Sequence, residues 1–492
     1  MQLKGGKLQV LAEEQVKDIH AASLDVLEHT GVIVPERRCL EKLAEAGANV
    51  DFEKEHVLFP PWVVEEAIAK APAHFTWHGR DPRQDVFMGD NIVNFGPASS
   101  VLSVSDIDGN KRLATVNDCE KFTRLADQSE NIKEGYCVVH PSDIPDQVHH
   151  AYMVFSMFRN STKPFRGRAF GPNEALDSIK IAEIVSGGEE NMKKRPNLIV
   201  NCCPVSPLAH GKQILEGFYE YVTRRLPVIW TPEVQAGATG PVTIAGSIVQ
   251  MNAEILSGLV MAQAITPSTP VVYGTVSSIL DMKRGVIAYA APEASLINLV
   301  AAQMARFYKI PSRGTGGFCD GNTLDMQAGF ESAMTLLMTA MAGVNYIIGT
   351  AGAMSSTMVC SYEKFMIDDQ VAGMVARLLR GVEVNPLTMA TELIAKVGPK
   401  GHYMGEKHTR ENLLKEHYIP LVVDRMKYDT WAASGSKEIK HLAKEKVEKI
   451  LAEYQPEPLP AEVEKEIVAY IKLIEKREGV SSSLDKFENL SL

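Results

Sequence analysis

The sequence predicts an α/β protein, a (β/α)8 TIM barrel with helical extensions at its N-terminus and C-terminus. Three observations favour this fold class. Eight short β-rich runs alternate with long helical patterns, as parallel βαβ units require. The chain has 492 residues, of which 45% are apolar and 23% charged, and one large globular barrel accounts for that length and composition. No Gly-x-Gly-x-x-Gly follows the first strand, which disfavours a nucleotide-binding open sheet.

Residues 1–90 are the predicted N-terminal extension, helical and mixed in character. An amphipathic helix begins near Leu11 and ends near Thr30, with apolar residues at helical spacing. Pro60 and Pro61 open a second helix over 62–71, because a proline in the first turn loses no hydrogen bond. We interpret this extension as a lid or a dimerisation arm, and we expect a homo-oligomer.

The barrel is predicted over residues 91–432. Its strands are expected at 92–95 (extended by a hairpin through 101–104), 136–139, 165–170, 198–202, 227–230, 271–274, 311–314 and 346–348. Its helices are expected at 116–128, 148–158, 172–185, 211–224, 242–266, 293–308, 325–342 and 363–379. Eight such units close a barrel better than they make an open sheet.

Residues 433–492 are the predicted C-terminal helical extension. Ser434, Gly435 and Ser436 indicate a linker, and two helices follow at 437–454 and 461–475 with a proline-rich interruption between them. The first of these helices is rich in lysine and glutamate. Such charge runs are typical of solvated helix faces.

Charge and cysteine usage disfavour several classes of protein. The net charge of −10, without a basic stripe, disfavours nucleic-acid binding. The N-terminus is too polar for a signal peptide, and the longest apolar stretches fall short of the roughly 20 residues of a membrane helix. The seven cysteines are irregularly spaced without a Cys-x-x-Cys pair, so we expect neither disulfides nor a zinc knot. A cytoplasmic protein without a membrane partner is the expectation.

The loops after the predicted strands are rich in glycine, hydroxyl and aromatic residues, and barrel enzymes hold their reacting groups there. The chain lacks His-Glu-x-x-His, Gly-x-Ser-x-Gly and a lysine within a predicted strand, which disfavours common zinc, serine and Schiff-base chemistries. Because glycine lets another backbone approach closely, we expect a wide mouth for a bulky partner. The residues expected to face that partner are Gly240, Gly316, Gly317, Asp320, Gly349 and Gly352.

Three motifs in order resemble those of the trimethylamine methyltransferase superfamily. They are Gln-Ala-Gly-Ala-Thr-Gly-Pro-Val-Thr at 235–243, Gly-Gly-Phe-Cys-Asp-Gly-Asn-Thr-Leu-Asp-Met-Gln-Ala-Gly-Phe-Glu at 316–331 and Gly-His-Tyr-Met-Gly-Glu-Lys-His-Thr at 401–409. The resemblance covers nearly the whole chain. It implies a (β/α)8 barrel that takes a methyl group from a methylamine and delivers it to the Co(I) of a corrinoid carried by a separate protein.

One departure from the trimethylamine-specific members narrows the substrate. Those members carry pyrrolysine, whereas this chain contains only the twenty standard residues. It therefore resembles the branch without pyrrolysine, whose substrates are quaternary amines such as glycine betaine, proline betaine and carnitine. A DxHxxG corrinoid-binding motif is absent, so we expect no tightly bound cofactor on this chain and a corrinoid protein as its partner.

A quaternary ammonium leaves as a neutral amine, so the site needs orientation and desolvation, and no acid–base residue is assigned. Aromatic faces recognise such a cation, which has no N–H to donate, while an arginine holds a carboxylate bidentately. No metal ligand is assigned. The candidate substrate-binding residues are Phe95, Tyr136, Trp230, Tyr273 and Phe318, with Glu233 adding charge, Arg166, Arg168 or Arg313 for a carboxylate, and His140.

Two other readings remain open. One is a zinc-dependent thiol or methanol methyltransferase, for which His140, Cys202 and Cys319 could be assembled as ligands. The other is a non-catalytic barrel that binds a quaternary amine, because barrels host many functions.

Overall fold

A central sheet of seven parallel strands organises the protein, whose computed structural model describes residues 2–487. In chain order the strands are β1 (Asn94–Phe95), β2 (Phe165–Gly167), β3 (Leu198–Cys202), β4 (Val228–Trp230), β5 (Val271–Gly274), β6 (Ser312–Thr315) and β7 (Tyr346–Ile348). In space the order is β1-β7-β6-β5-β4-β3-β2. The α/β class and seven of the eight predicted strands are therefore confirmed.

The predicted strand at 136–139 is wrong. Within it, Val139 makes a single bridge to Val101, and Val138 has a positive φ of 35°, which is incompatible with a strand. The segment just before it lies between the two edge strands of the sheet. Lys133 N donates to the carbonyl of Phe95 in β1 at 2.7 Å, and Gly135 N donates to that of Pro164, next to β2, at 3.1 Å.

Two small sheets follow the strand ends. Residues 101–104 do not form a hairpin with 92–95 as predicted, because Ser103–Ser105 pairs with Lys111–Leu113 and with the strand Val359–Cys360, next to Ala353–Met354. A three-stranded sheet contains Gln235–Ala236, Ser278–Asp281 and Val286–Ala288. Both sheets lie in segments that connect a central strand to its following helix.

The helices around the sheet match the predicted ones within two residues at nearly every end. Local capping explains several ends: Thr115 and Asp118 form a capping box, and Asp325 accepts from the amides of Gln327 and Ala328. The helices are Val116–Gln128, His149–Asn160, Gly171–Ser186, Glu189–Lys194, Lys212–Thr223, Ile244–Ile265, Pro292–Tyr308, Met326–Ala342 and Tyr362–Arg380.

The N-terminal extension packs on the outside of helix Ile244–Ile265. This helix is 22 residues long and apolar enough to span a membrane, yet most of its surface is buried. It is covered by the N-terminal helices Glu13–Asp25, Arg37–Glu45 and Pro61–Lys70. The extension also contains small sheets of Val32–Ile33, Asn49–Asp51 and His56–Leu58, and of His74–Trp77 with Val86–Gly89. Covering an apolar core helix is thus one role of the extension.

The C-terminal helices also pack on the helices around the central sheet. Ile439–Glu453 lies against Val116–Gln128 and Tyr362–Arg380, and Ala461–Glu478 lies against Gly171–Ser186 and His149–Asn160. Buried Asp177 fixes the last helix, because it accepts from Tyr470 at 2.9 Å and Arg477 at 2.7 Å. The short helices Pro386–Met389, Thr391–Val397, Lys407–Glu416 and Tyr428–Ala433 connect the two parts.

Buried Lys163, just before β2, holds in place the segment that precedes the wrongly predicted strand at 136–139. Its ammonium donates to the carbonyls of Ala126 at 2.6 Å, Ser129 at 2.5 Å and Ile132 at 2.7 Å. Three donors therefore meet three carbonyl oxygens at the end of helix Val116–Gln128 and in the turn that follows it.

We predict that Lys163→Met destabilises the protein by about 3 kcal/mol or more, because several buried carbonyls lose their donor. Urea unfolding followed by circular dichroism measures the change. Lys133→Met is the matched control, since Lys133 donates to a single carbonyl, that of Glu130, and we expect a loss below about 1 kcal/mol. Equal losses in the two variants would contradict this role of Lys163.

Candidate active site

A cavity of about 280 Å³ opens at the carboxyl ends of β2 and β3. Barrel enzymes bind their substrates at this end of the strands. The cavity brings together four of the predicted site residues, and its lining is Ser99, Ser100, Tyr136, His140, His149, Arg166, Gly167, Arg168, Ala169, Phe170, Glu174, Asn201 and Ile214.

A buried charge cluster forms the floor of this site. Arg166 donates through Nε to Glu134 at 2.6 Å, and the Tyr346 hydroxyl from β7 donates to the same carboxylate. The Arg166 guanidinium also lies 4.1 Å from the centre of the Tyr136 ring. Burial opposes the charge of Arg166, but the neighbouring Glu134 carboxylate holds the pKa of the guanidinium above its ordinary value. Arg166 is therefore already paired inside the protein.

Arg313 in β6 is buried but is not paired in this way. One of its terminal nitrogens donates to the carbonyl of Thr275 at 2.5 Å. Its buried Nε has no hydrogen-bond partner among the described residues, and no carboxylate of residues 2–487 forms an ion pair with it. Burial, together with repulsion from Arg166, lowers the pKa of Arg313 to about 10. It still carries its charge at neutral pH, and it has capacity for an anion.

Aromatic residues and carboxylates from three loops meet near these arginines. The Tyr289 hydroxyl donates to Glu233, and the Tyr289 ring stands edge-on to Phe318 at 5.4 Å between centroids. The Asp320 carboxylate accepts from the backbone amides of Tyr289 and Ala290, at 3.1 and 2.9 Å. These contacts hold the loops after β4, β5 and β6 against one another.

Two histidines and Arg168 line the other wall of the cavity. The rings of His140 and His149 lie with their centroids 4.3 Å apart and their planes tilted by 30°. Burial and the nearby Arg168 charge lower the pKa of His140, and they lower the pKa of His149 to about 3. Arg168 lies 3.7 Å from Glu174. Both histidines are therefore neutral at physiological pH, and Arg168 carries the fixed positive charge on this wall.

Phe95, Trp230 and Tyr273 do not line the cavity, and neither do Glu233, Arg313 and Phe318. Trp230 pairs in register with Tyr273, so the two side chains share a face of the sheet, the one that faces the helices. The Trp230 ring packs on Phe218 at 5.0 Å, and the Tyr273 hydroxyl donates to Asn252 of helix Ile244–Ile265 at 2.8 Å. Phe95 is fully buried in the hydrophobic core. Sequence position places these residues at strand ends, but the register turns them away.

The predicted glycines mostly serve loop packing in this structure. Gly316, Gly317, Gly349 and Gly352 are all buried. At Gly317, with φ of +90°, a Cβ would lie 2.7 Å from the carbonyl oxygen of Thr350, so the loops after β6 and β7 touch through bare backbone. The wide mouth expected from these glycines is instead a close contact between two loops.

Gly240 and Asp320 are half-buried. Their contact with a partner stays a prediction.

Within residues 2–487 no group of three His, Cys, Asp or Glu side chains is arranged to hold a metal ion. Cys202 is fully buried in β3, and the His140 ring lies beside that of His149. The structure thus provides no ligand set in the described chain for the zinc-dependent alternative.

Several residues of the site were missed by sequence reasoning. Glu134 and Tyr346 form the charge cluster, Tyr289 contacts Glu233, and His149 and Asn201 line the cavity. A signal existed for Glu134, because it is a lone carboxylate beside an apolar run. No sequence signal indicated Tyr346 or Tyr289, since their roles depend on which strands and loops are neighbours in space.

The fold and the strand-end cavity define an α/β protein in which residues 2–487 contain no group of three side chains arranged to hold a metal ion. The model of the family "Trimethylamine methyltransferase (MTTB)" matches residues 2–479, so the chain belongs to this family. It is accordingly a methyltransferase.

Relatives with known names extend this assignment. The chain is 39% identical to the glycine betaine methyltransferase of Desulfitobacterium hafniense strain Y51, over 94% of this chain and 97% of that one. It is 32% identical to the trimethylamine methyltransferase MttB of D. hafniense strain DSM 10664 / DCB-2, over 98% and 97%. The Methanosarcina barkeri monomethylamine methyltransferase MtmB has a similar fold, with a TM-score of 0.50 at 13% identity over 91% of this chain and 96% of that one.

The lowered pKa of His149 predicts a pH dependence of stability. In the unfolded chain a histidine titrates near pH 6.5, whereas buried His149 titrates near 3. The contribution of neutral His149 to the free energy of unfolding is fully present above pH 6.5. It is lost as the pH falls towards 3, by up to about 1.4 kcal/mol per pH unit. Between pH 7 and pH 4.5 the free energy of unfolding should fall less in His149→Phe than in the unsubstituted protein, by about 2 to 3 kcal/mol.

Urea unfolding at the two pH values measures this difference. His29→Gln is the control, because His29 is exposed, and its pH dependence should match that of the unsubstituted protein. A pH dependence that His149→Phe leaves unchanged would refute the assignment.

Proposed function

We propose that this enzyme transfers a methyl group from a small quaternary amine, glycine betaine first, to the Co(I) corrinoid of a separate corrinoid protein. The similarity to a named glycine betaine methyltransferase over almost the full length of both chains supports the substrate class. Proline betaine and carnitine are the next candidates. We further propose that the 132–135 segment, hydrogen-bonded towards both edge strands, closes the sheet into a barrel, and that the enzyme is a cytoplasmic homo-oligomer.

The reaction needs little acid–base chemistry from the chain. As the methyl carbon leaves the substrate, the C–N electron pair stays on nitrogen, and a positively charged ammonium becomes a neutral tertiary amine. The corrinoid on the partner supplies the Co(I) electron pair that forms the new bond to carbon. The task of this chain is to orient one methyl group and to exclude water. Neutral His140 and His149 and the paired Arg166 are consistent with such a site.

The unpaired Nε of Arg313 is the observation that carries the choice of substrate. A buried guanidinium without a carboxylate partner is costly, and an incoming carboxylate would relieve that cost. Glycine betaine, proline betaine and carnitine each bear a carboxylate beside the cation. The rings of Tyr289 and Phe318, with the charge of Glu233, supply the aromatic and anionic surroundings that suit a quaternary ammonium. A zwitterion therefore fits this set of side chains.

The first test is methylation of reduced Co(I) cobalamin by the purified enzyme, followed by absorbance. Glycine betaine, proline betaine, carnitine and trimethylamine are compared as donors, and purified corrinoid proteins of the source organism are compared as acceptors. We expect methyl–cobalt formation with one quaternary amine and none with trimethylamine. If no quaternary amine gave methyl–cobalt formation, either with free cobalamin or with corrinoid proteins as acceptors, the proposed function would be refuted.

We predict that Arg313→Met raises the KM for glycine betaine by about 10- to 100-fold, because a charged hydrogen bond to a carboxylate contributes about 1.5 to 3 kcal/mol. Choline, a quaternary amine without a carboxylate, serves as the reference ligand in competition binding, and its affinity should change much less. Arg306→Met is the matched control, since Arg306 also donates to one carbonyl, that of Ala342, but lies in the last turn of helix Pro292–Tyr308.

Comparison of Arg313→Met with Arg306→Met distinguishes a loss of substrate recognition from general damage to the protein. An unchanged KM in Arg313→Met, or an equal loss of glycine betaine and choline binding, would show that Arg313 does not recognise the carboxylate.

A further inference from the structure

Two buried acceptor atoms in the cavity at the ends of β2 and β3 have no protein donor. They are His149 Nε2 and Glu174 Oε2, and neither accepts a hydrogen bond from residues 2–487. Both residues line the cavity, and His149 as a whole is only 7% exposed. Because buried polar atoms are nearly always hydrogen-bonded, two such acceptors beside one cavity indicate a ligand that carries a donor.

The contacts of His149 show that its free ring nitrogen is an acceptor. Its Nδ1 lies against the carbonyl oxygen of Asp146, which can only accept, so this contact assigns the ring proton to Nδ1. Burial and the charge of Arg168 lower the pKa of His149 to about 3, so the ring carries a single proton at neutral pH. Nε2 therefore keeps its lone pair, and it meets no protein donor within the described part of the chain.

Arg168 adds a place for a carboxylate beside these acceptors. Its guanidinium lies 3.7 Å from the Glu174 carboxylate, which is longer than a hydrogen bond. A guanidinium has five N–H donors, so Arg168 can also bind the carboxylate of a ligand. We call His149, Arg168 and Glu174 the polar wall of the cavity. A ligand that fits this wall carries both a hydrogen-bond donor and a carboxylate.

The proposed substrate does not have such a donor. The nitrogen of glycine betaine carries no hydrogen, and its carboxylate only accepts. The residues proposed to hold this substrate, Arg313 with Tyr289, Phe318 and Glu233, do not line the cavity. The polar wall therefore suits a different molecule from the methyl donor.

The product of the reaction has the missing donor. When the C–N bond breaks, its electron pair stays on nitrogen and the methyl carbon goes to cobalt, which leaves N,N-dimethylglycine. An aliphatic amine is about as basic as a lysine side chain, so this product takes up a proton from water at neutral pH. It then carries an N–H beside its carboxylate. The cavity of about 280 Å³ has room for so small an amino acid.

We propose that the polar wall binds the protonated tertiary amine that the reaction releases, an inference that rests on the proposed function. The N–H of the product donates to His149 Nε2 or Glu174 Oε2, and its carboxylate accepts from Arg168. Substrate and product differ only in one group on nitrogen, a methyl or a hydrogen, so this wall discriminates between them. A product held in the cavity slows the next turnover, and N,N-dimethylglycine is therefore an inhibitor of the enzyme.

The test measures the binding of N,N-dimethylglycine and of glycine betaine to the full-length enzyme by isothermal titration calorimetry, without a corrinoid. The variants are His149→Phe and Glu174→Leu, each of which removes one acceptor. His210→Phe is the matched control, because His210 is also buried and also has a ring nitrogen without a partner among the described residues. It lies outside the cavity and packs on Trp230 at 5.2 Å between ring centroids.

We expect each acceptor variant to lower the affinity for N,N-dimethylglycine, relative to that for glycine betaine, at least 10-fold, because a hydrogen bond from a charged group is lost. The ratio of the two affinities is the readout, since general damage to the cavity would weaken both ligands alike. His210→Phe should keep this ratio within 2-fold of that in the unsubstituted enzyme. The inhibition constant of N,N-dimethylglycine in methyl transfer should rise in parallel in the two acceptor variants.

Carnitine is titrated as well, since a hydroxyl is the other donor that a ligand with a carboxylate can offer. If His149→Phe lost carnitine binding and kept N,N-dimethylglycine binding, the wall would belong to a hydroxylated substrate and the proposal would be overturned. An affinity ratio within 2-fold of the unsubstituted value in both variants, or no binding of N,N-dimethylglycine by the unsubstituted enzyme, would overturn it too. Failure of that enzyme to methylate both free cobalamin and corrinoid proteins would instead overturn the proposed function. Because calorimetry needs no methyl transfer, the two failures are distinguishable.

Discussion

The buried carboxylate of Glu134 is the interaction on which the interior of this protein depends. It accepts from Arg166 of β2 and from Tyr346 of β7, so one charge links strands near both ends of the sheet order. Removing one partner of a buried ion pair leaves a charge without compensation, at a cost of about 3 to 5 kcal/mol. The segment that carries Glu134 is not a strand, and buried Lys163 holds it through backbone carbonyls. Irregular backbone here therefore has a defined structural role.

The charges of the interior arginines are not all paired with carboxylates, and this difference connects the architecture to the proposed function. Arg166 is paired with Glu134, and Arg168 lies near Glu174. Arg313 donates to a backbone carbonyl, and its buried Nε has no partner in the described part of the chain. The free Nε of Arg313 supports the proposal that an anionic group binds there. The adjacent Tyr289, Phe318 and Glu233 offer the opposite character, suited to a cation. Together they support the proposed zwitterionic substrate.

Much of the fold could be predicted from the chain because its elements are local. Helical periodicity and capping residues located the long helices around the sheet within about two residues at nearly every end, and seven β-rich runs became strands. The run at 136–139 has strand composition but departs from extended geometry at Val138. Its neighbours are held by side-chain and loop contacts from distant segments, which no local pattern records. The pairing of 103–105 with 111–113 and 359–360 was hidden for the same reason.

The sequence by itself determined the α/β class and the family motifs. Four of the candidate residues it indicated, Tyr136, His140, Arg166 and Arg168, line one cavity. Only the tertiary structure decided that Trp230 and Tyr273 face the helices, since strand register sets the direction of a side chain. It alone showed that the buried Nε of Arg313 has no hydrogen-bond partner among residues 2–487. Charge compensation depends on atoms brought together from distant parts of the chain, and spacing along a sequence does not encode it.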